Sequence, residues 1–245
     1  MKHILTTQGK QGVLEILGNP QESILYLNDR PIQYSWYAEV GSTWRYHIAQ
    51  GLTKQAVDLN QGIEALLKRG IQHKGDFLAV AEYFQGFLAA GTYEYGYYEL
   101  PRDAQWVEIP EGEQYQSFDY YGGGLDIAPT QNAIDDELVT QYQQAILNGA
   151  RPAMVLLHVA DSFMFFILDG HHKFCAYGLA KIPPHAVIIT KQEQAYKSLE
   201  ETLTLAKEMD CTKGEYLGWM RKEKQNLRYY KGQRLDLGEA FRLLA

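Results

Sequence analysis

The apolar positions of the chain fall into two textures that meet near Pro110. Before it, short runs interleave β-branched and aromatic residues with polar ones, the habit of strands: "VLEILG" (13–18) and "SILYLNDRPIQYSWYAEVG" (23–41), with Asn28-Asp29 in the second marking a hairpin turn. One segment has the helical period instead. In "DLNQGIEALLKRG" (58–70), Leu59, Ile63, Leu66 and Leu67 fall at i, i+4, i+7 and i+8, Asp58 and Gln61 have capping-box spacing, and Gly70 supplies the stop. "DFLAVAEYFQGFLAAGTYEYGYYEL" (76–100) and "QWVEI" (105–109) return to strand texture, and Tyr93, Tyr95 and Tyr97 alternate with Glu94 and Gly96, so the three rings share one side of a strand.

After Pro110 comes "EGEQYQSFDYYGGGLDIAP" (111–129), whose acidic, aromatic and triple-glycine character predicts a linker or mobile loop. The second texture is more regular. "NAIDDELVTQYQQAILNG" (132–149) predicts a helix with Leu138, Tyr142, Ala145 and Ile146 on one face, acids in its first turn and Gly149 past its end. "RPAMVLLHV" and "FMFFIL" predict two strands joined by a turn at Ala160-Asp161-Ser162, the second apolar on both faces and therefore buried. Asp169-Gly170 leads into a short helix, "HHKFCAYGLAK", ended by Pro183-Pro184, and "HAVIIT" is a further strand. Helices over 192–209 and 212–227 finish the chain, the latter opening with Thr212 and Glu215 at capping-box spacing.

The expected class is α+β: a β-rich region with one amphipathic helix over 1–110, a glycine-containing loop plus a compact α+β domain over 111–190, and a helical extension over 191–245. Composition narrows what such a protein does. The chain has 245 residues, 46% hydrophobic and 22% charged, the balance of an ordinary globular protein. A net charge of −7 sets aside a protein whose affinity comes from neutralising nucleic-acid phosphates. The basic stretch "MRKEKQNLRYYKGQR" (220–234) mixes its charges with Gln, Asn and Tyr, as a solvated helix face does. Two cysteines, Cys175 and Cys211, make neither a disulfide framework nor a metal set, and no run approaches about 18 apolar residues. A cytoplasmic protein without membrane contact is expected.

The chemistry concentrates in "DGHHK". A strand-to-helix junction presents unpaired N–H groups and a positive dipole end, which suit a phosphate or carboxylate. Gly170 permits close approach of a ligand to the backbone, and His171, His172 and Lys173 supply donors beside it. In the functional reading Asp169 is a general base or magnesium ligand, His171 and His172 bind or protonate a phosphoryl oxygen, and Lys173 neutralises charge. In the structural reading Asp169 caps the helix, one histidine bonds the backbone, and Lys173 is solvated. Adjacent histidines at a helix start diverge, so no metal site is assigned to His171, His172 and His185. His158 reads as a strand residue with a satisfied ring, Cys175 as a packed thiol, and the tyrosine stripe as a packed sheet face.

The motifs "AILNGARPAMVLLHV", "FMFFILDGHHKFCAYGLAKI" and "PHAVIIT" resemble the ParB/sulfiredoxin-like superfamily over about Asn132 to Thr190, under a third of the chain. Its members share a helix, a glycine followed closely by proline at the start of a strand, a hairpin, and a strand-to-helix loop that holds the phosphates of a nucleotide. Gly170 matches the loop glycine, His172 the histidine of the sulfiredoxin pattern and Ala176 the small helix residue. His171 stands where sulfiredoxins carry their catalytic cysteine, which removes sulfinic-acid reduction by that route, and Lys173 replaces the usual arginine, trading a planar two-pronged contact for a point charge.

The resemblance implies a protein that binds ATP or a related nucleotide, with magnesium, through Gly170, His171, His172 and Lys173. As an enzyme it would be an ATP- or ADP-dependent phosphotransferase acting on a small molecule, with Asp169, His171 and His172 catalytic and a second carboxylate from Asp126, Asp135 or Asp136. The alternative is a non-catalytic bacterial immunity or regulatory protein that covers a protein partner with its acidic, tyrosine-rich N-terminal half.

Overall fold

The computed structural model describes residues 1–8, 13–20, 22–40, 42–49, 59–107, 115–119, 125–131, 133–195 and five positions between 201 and 209. Strands β1 (Lys2–Thr7), β2 (Leu14–Asn19), β3 (Glu22–Leu27), β4 (Arg30–Val40) and β5 (Ser42–Ala49) come first, followed by helices α1 (Gln61–Arg69) and α2 (Lys74–Gln85). Then come β6 (Gly91–Glu99), β7 (Gln105–Trp106), β8 (Tyr115–Asp119), β9 (Asp126–Ala128), α3 (Asp136–Leu147), β10 (Ala153–Val159), β11 (Met164–Asp169), α4 (His171–Ala180) and β12 (His185–Lys191). Helices and mixed strands together make an α+β protein.

Two sheets organise the chain, one of seven strands in the order β1-β6-β12-β10-β11-β9-β7 and one of five in the order β2-β3-β4-β5-β8. The larger sheet is continuous across residue 110, since β1, β6 and β7 precede it and β9 to β12 follow it. Its centre is β10, buried at every position, antiparallel to β11 and parallel to β12. One face carries Val155, Leu157, Phe166, Val187 and Ile189, and packs against Phe77, Val80 and Phe84 of α2, Leu67 of α1, and Ile16 and Leu25 of the smaller sheet. The other carries Met154, Leu156, Phe165 and Ile167 under Trp106 and Phe174. Helices α3 and α4 pack on each other through Val139, Ile146, Ala176 and Tyr177. The two sheets are also pinned by a hydroxyl pair: Ser23 Oγ on β3 lies 2.6 Å from Ser162 Oγ in the turn after β10.

Local chemistry explains most elements. Asn28 and Asp29 adopt φ of 49° and 63°, the left-handed pair that a two-residue hairpin between β3 and β4 demands. Helix α1 is capped by Asn60, whose side chain accepts from Ile63 N–H, instead of the expected Asp58. The expected strand texture from Asp76 fails. The stretch Lys74–Gln85 is helical, because Phe77, Val80, Ala81 and Phe84 recur at helical spacing and turn one face into the core. The expected loop 111–129 contributes two strands, and β9 is inserted between β11 and β7 with all three residues buried. Strand β1 answers to no sequence expectation. Gln192 to Ala195 are not helical and Ala195 N–H bonds Gly18 C=O; among the described residues that follow, 201, 204, 205 and 208 are helical, and the helix expected over 212–227 lies outside the described residues. Among the described residues no helix is long and apolar enough to cross a membrane.

Candidate functional site

Strand β11 ends in Asp169, and the chain turns into α4 through Gly170. Its φ of 105° and ψ of 25° are left-handed, and a Cβ there would meet Met154 Cγ at 2.9 Å and Met154 Cα at 3.1 Å. Only glycine satisfies both the angle and the space. With glycine at the cap position α4 has no side-chain cap, and the N–H groups of His171, His172 and Lys173 meet no acceptor among the described residues.

The side chains divide into buried and accessible. Lys173 is 4% exposed; its ammonium donates to Asp169 Oδ2 at 2.5 Å and to Ala153 C=O at 3.0 Å, and lies 5.9 Å from the centre of the Tyr142 ring. It is therefore neither solvated nor open to a ligand. Burial, with the Asp169 charge second, pushes the Tyr142 phenol up to about 12. The Lys173 contact and a bond from Tyr177 OH to Pro152 C=O at 2.8 Å latch α4 to the start of β10.

His171 is 2% exposed and turns toward the chain that follows β9. Its Nε2 accepts N–H bonds from Thr130 at 3.0 Å and Gln131 at 3.2 Å, which places the ring proton on Nδ1. Burial pushes its pKa down to about 4, against a smaller upward pull from Asp169, so the ring is neutral at pH 7. Thr130 Oγ1 donates to Ile167 C=O at 2.6 Å. Gln33, on β4 of the smaller sheet, donates its side-chain N–H to Pro129 C=O, so both sheets hold this loop. Trp106 stands edge-on to the imidazole at 6.2 Å and stacks on Phe174 at 5.5 Å.

His172 points elsewhere. It is half-buried, its pKa lowered mainly by burial, with Asp135 and Asp169 pulling the other way. Asp135 caps α3 by accepting from Glu137 N–H and Leu138 N–H, and its charge is the largest opposing influence on His172 at the start of α4. Asp136 is exposed at the head of α3, and Asp126 is buried on β9. His185 pairs with Tyr97 OH at 3.2 Å and faces Glu99 at 3.6 Å, a separate cluster on β12 and β6. His158 lies stacked on Phe165 at 4.0 Å; Nε2 donates to Ser162 C=O, while Nδ1 has no partner among the described residues. Cys175 is half-buried at the α3–α4 contact.

Of the sequence candidates from Asp169 to Lys173, then, only His172 is partly exposed; Gly170 is itself buried in the turn, and Asp169, His171 and Lys173 are committed to internal contacts. Among the described residues no group of three or more His, Cys, Asp or Glu side chains could hold a metal ion. With Asp169 already bonded to an ammonium, the donor set does not fit a magnesium ion. The partners that sequence reasoning missed are Gln33, Thr130, Gln131 and Tyr177, the first three of which act across long separations that no local pattern reports. No family model matches the chain, and no curated protein or solved structure matches it.

Proposed function

We propose that the protein is a ParB/sulfiredoxin-like binding protein that holds a phosphate group, in the first instance that of ATP or a related nucleotide, at the start of α4. The observation that carries this reading is the uncapped Gly170 turn: three successive N–H groups at the positive end of a ten-residue helix, with the half-exposed His172 ring beside them. The order α3, β10, β11, α4, β12, with β10 parallel to β12 and antiparallel to β11, supports the superfamily resemblance. His171 and the Asp169–Lys173 pair act as positioning residues that fix the turn.

Binding is favoured over catalysis because two of the three expected catalytic groups, Asp169 and His171, have their reactive atoms engaged. This suits the regulatory or immunity reading. The phosphotransferase reading rests on His172, whose ring and the nearby Asp135 carboxylate are the groups able to take a hydroxyl proton there.

Thermal melting with millimolar pyrophosphate, ATP, ADP or CTP, each with and without magnesium, tests the proposal, since a ligand of the native state must raise its stability. The melting point should rise with the phosphate-bearing ligands, and His172→Ala should reduce the rise while leaving the far-UV circular dichroism intact. A flat response to all of them removes the proposal.

A further inference from the structure

Strand β1 is an edge of the seven-stranded sheet, and its two faces differ. His3, Leu5 and Thr7 are partly buried, with Leu5 packed on the core and α2 against the strand; Lys2, Ile4 and Thr6 are exposed. The backbone sense of the strand follows from its pairing. Tyr97 N–H bonds Met1 C=O at 3.0 Å, so with the antiparallel register Lys2↔Gly96, Ile4↔Glu94 and Thr6↔Thr92 the groups of Lys2, Ile4 and Thr6 point away from β6. Gln85 confirms this sense by donating its side-chain N–H to the outward Thr6 C=O at 3.1 Å. Among the described residues the outward groups of Lys2 and Ile4 and the Thr6 N–H meet no acceptor or donor.

Proteins guard such edges with charge, above all with lysine. Here Lys2, its side chain 65% exposed, leans back over the exposed face of β6. Lys2 Nζ is 2.7 Å from Glu94 Oε1 on β6 and near Tyr98, whose ring lies over Gly96. The apolar side chains that this leaves are concentrated at the same edge: of five exposed large hydrophobics among the described residues, Ile4 is on β1, Met1 directly precedes it and Tyr98 is on β6, and Ile4 is 62% exposed.

We propose that this edge pairs with β1 of a second copy of the chain, antiparallel about a two-fold axis at Ile4. The strand is self-complementary in that register. Ile4 meets Ile4 and exchanges both backbone bonds with it, Lys2 falls opposite Thr6, and no like charges are opposed. Thr6 N–H finds Lys2 C=O of the second copy in both directions, and Lys2 N–H meets Thr6 C=O, which then accepts from it and from Gln85 together. The exposed faces of both strands then bring the two Ile4 side chains together, a self-complementary patch of the kind a two-fold dimer requires.

Sedimentation velocity of the full chain, from low to high micromolar concentration, tests the pairing. Dimer should grow with concentration. Ile4→Lys, which sets two like charges opposite each other at the axis, should remove it. Ile4→Pro should do the same by deleting an outward N–H that β6 does not use. Melting and circular dichroism of Ile4→Lys should match the parent chain, and this variant carries the test alone if Ile4→Pro fails to fold. A parent chain that stays monomeric throughout overturns the proposal, including one that instead captures an extended peptide; so does a dimer that survives Ile4→Lys.

Discussion

Lys173 Nζ lies 2.5 Å from Asp169 Oδ2, one helical turn away, and both side chains are nearly closed to solvent. The pair braces the Gly170 turn from inside, and that fixes what its substitution should do. Lys173→Met strands a buried carboxylate and Asp169→Leu a buried ammonium, each costing about 3–5 kcal/mol, while the double variant replaces the pair with apolar volume and should cost far less than the sum. Urea unfolding of the cycle measures this. Additive losses would show that the two groups do not depend on each other.

Acid should weaken the fold in a defined window. His171 and His158 are buried and their pKa values are pushed down to about 4, against about 6.5 for an unfolded histidine. Between these values the unfolded chain binds more protons than the native one, so the stabilisation is complete above about pH 6.5 and is lost as pH falls toward about 4. Each ring contributes on the order of 3 kcal/mol across that range. Unfolding midpoints should therefore drop between pH 7 and pH 4, and His171→Phe should flatten part of the slope while lowering stability at pH 7 by leaving Thr130 N–H and Gln131 N–H without their acceptor.

Gly170→Ala should destabilise by about 2 kcal/mol or more, since it forces a side chain into left-handed backbone and into Met154 together. Met154→Ala in the same chain should recover only part of the loss, because Met154 Cα itself lies 3.1 Å from the added carbon. Full recovery would place the strain in the side-chain clash alone.

What the sequence displayed and what it hid follow separation along the chain. The hairpin at Asn28-Asp29, the α4 start at Gly170 and the buried β11 run are local, and their residues state them. The Asp169–Lys173 pairing was also within reach, since four residues at a helix start put two opposite charges on one face. The role of His171 was not, because its hydrogen-bond partners come from about 40 positions earlier. Helix α2 was hidden by composition: Phe77, Val80 and Phe84 are residues that strands also favour, and tertiary burial settled the choice. Strand β9 was hidden because three residues between a triple glycine and Pro129 carry too little pattern to separate from a loop.

Two buried tyrosines should respond oppositely to losing their hydroxyls. Tyr177 OH donates to Pro152 C=O at 2.8 Å, so Tyr177→Phe leaves a buried carbonyl without its donor and should cost about 1 kcal/mol. Tyr95 is fully buried among apolar residues, and its hydroxyl has no partner among the described residues. The folded chain has desolvated that group without a compensating bond, so Tyr95→Phe removes a penalty and only a small volume of packing. Tyr95→Phe should be neutral or stabilising by up to about 1 kcal/mol in urea unfolding, measured beside Tyr177→Phe. A loss at Tyr95 as large as at Tyr177 would mean that the Tyr95 hydroxyl finds a donor or acceptor in solution, a bound water being the simplest.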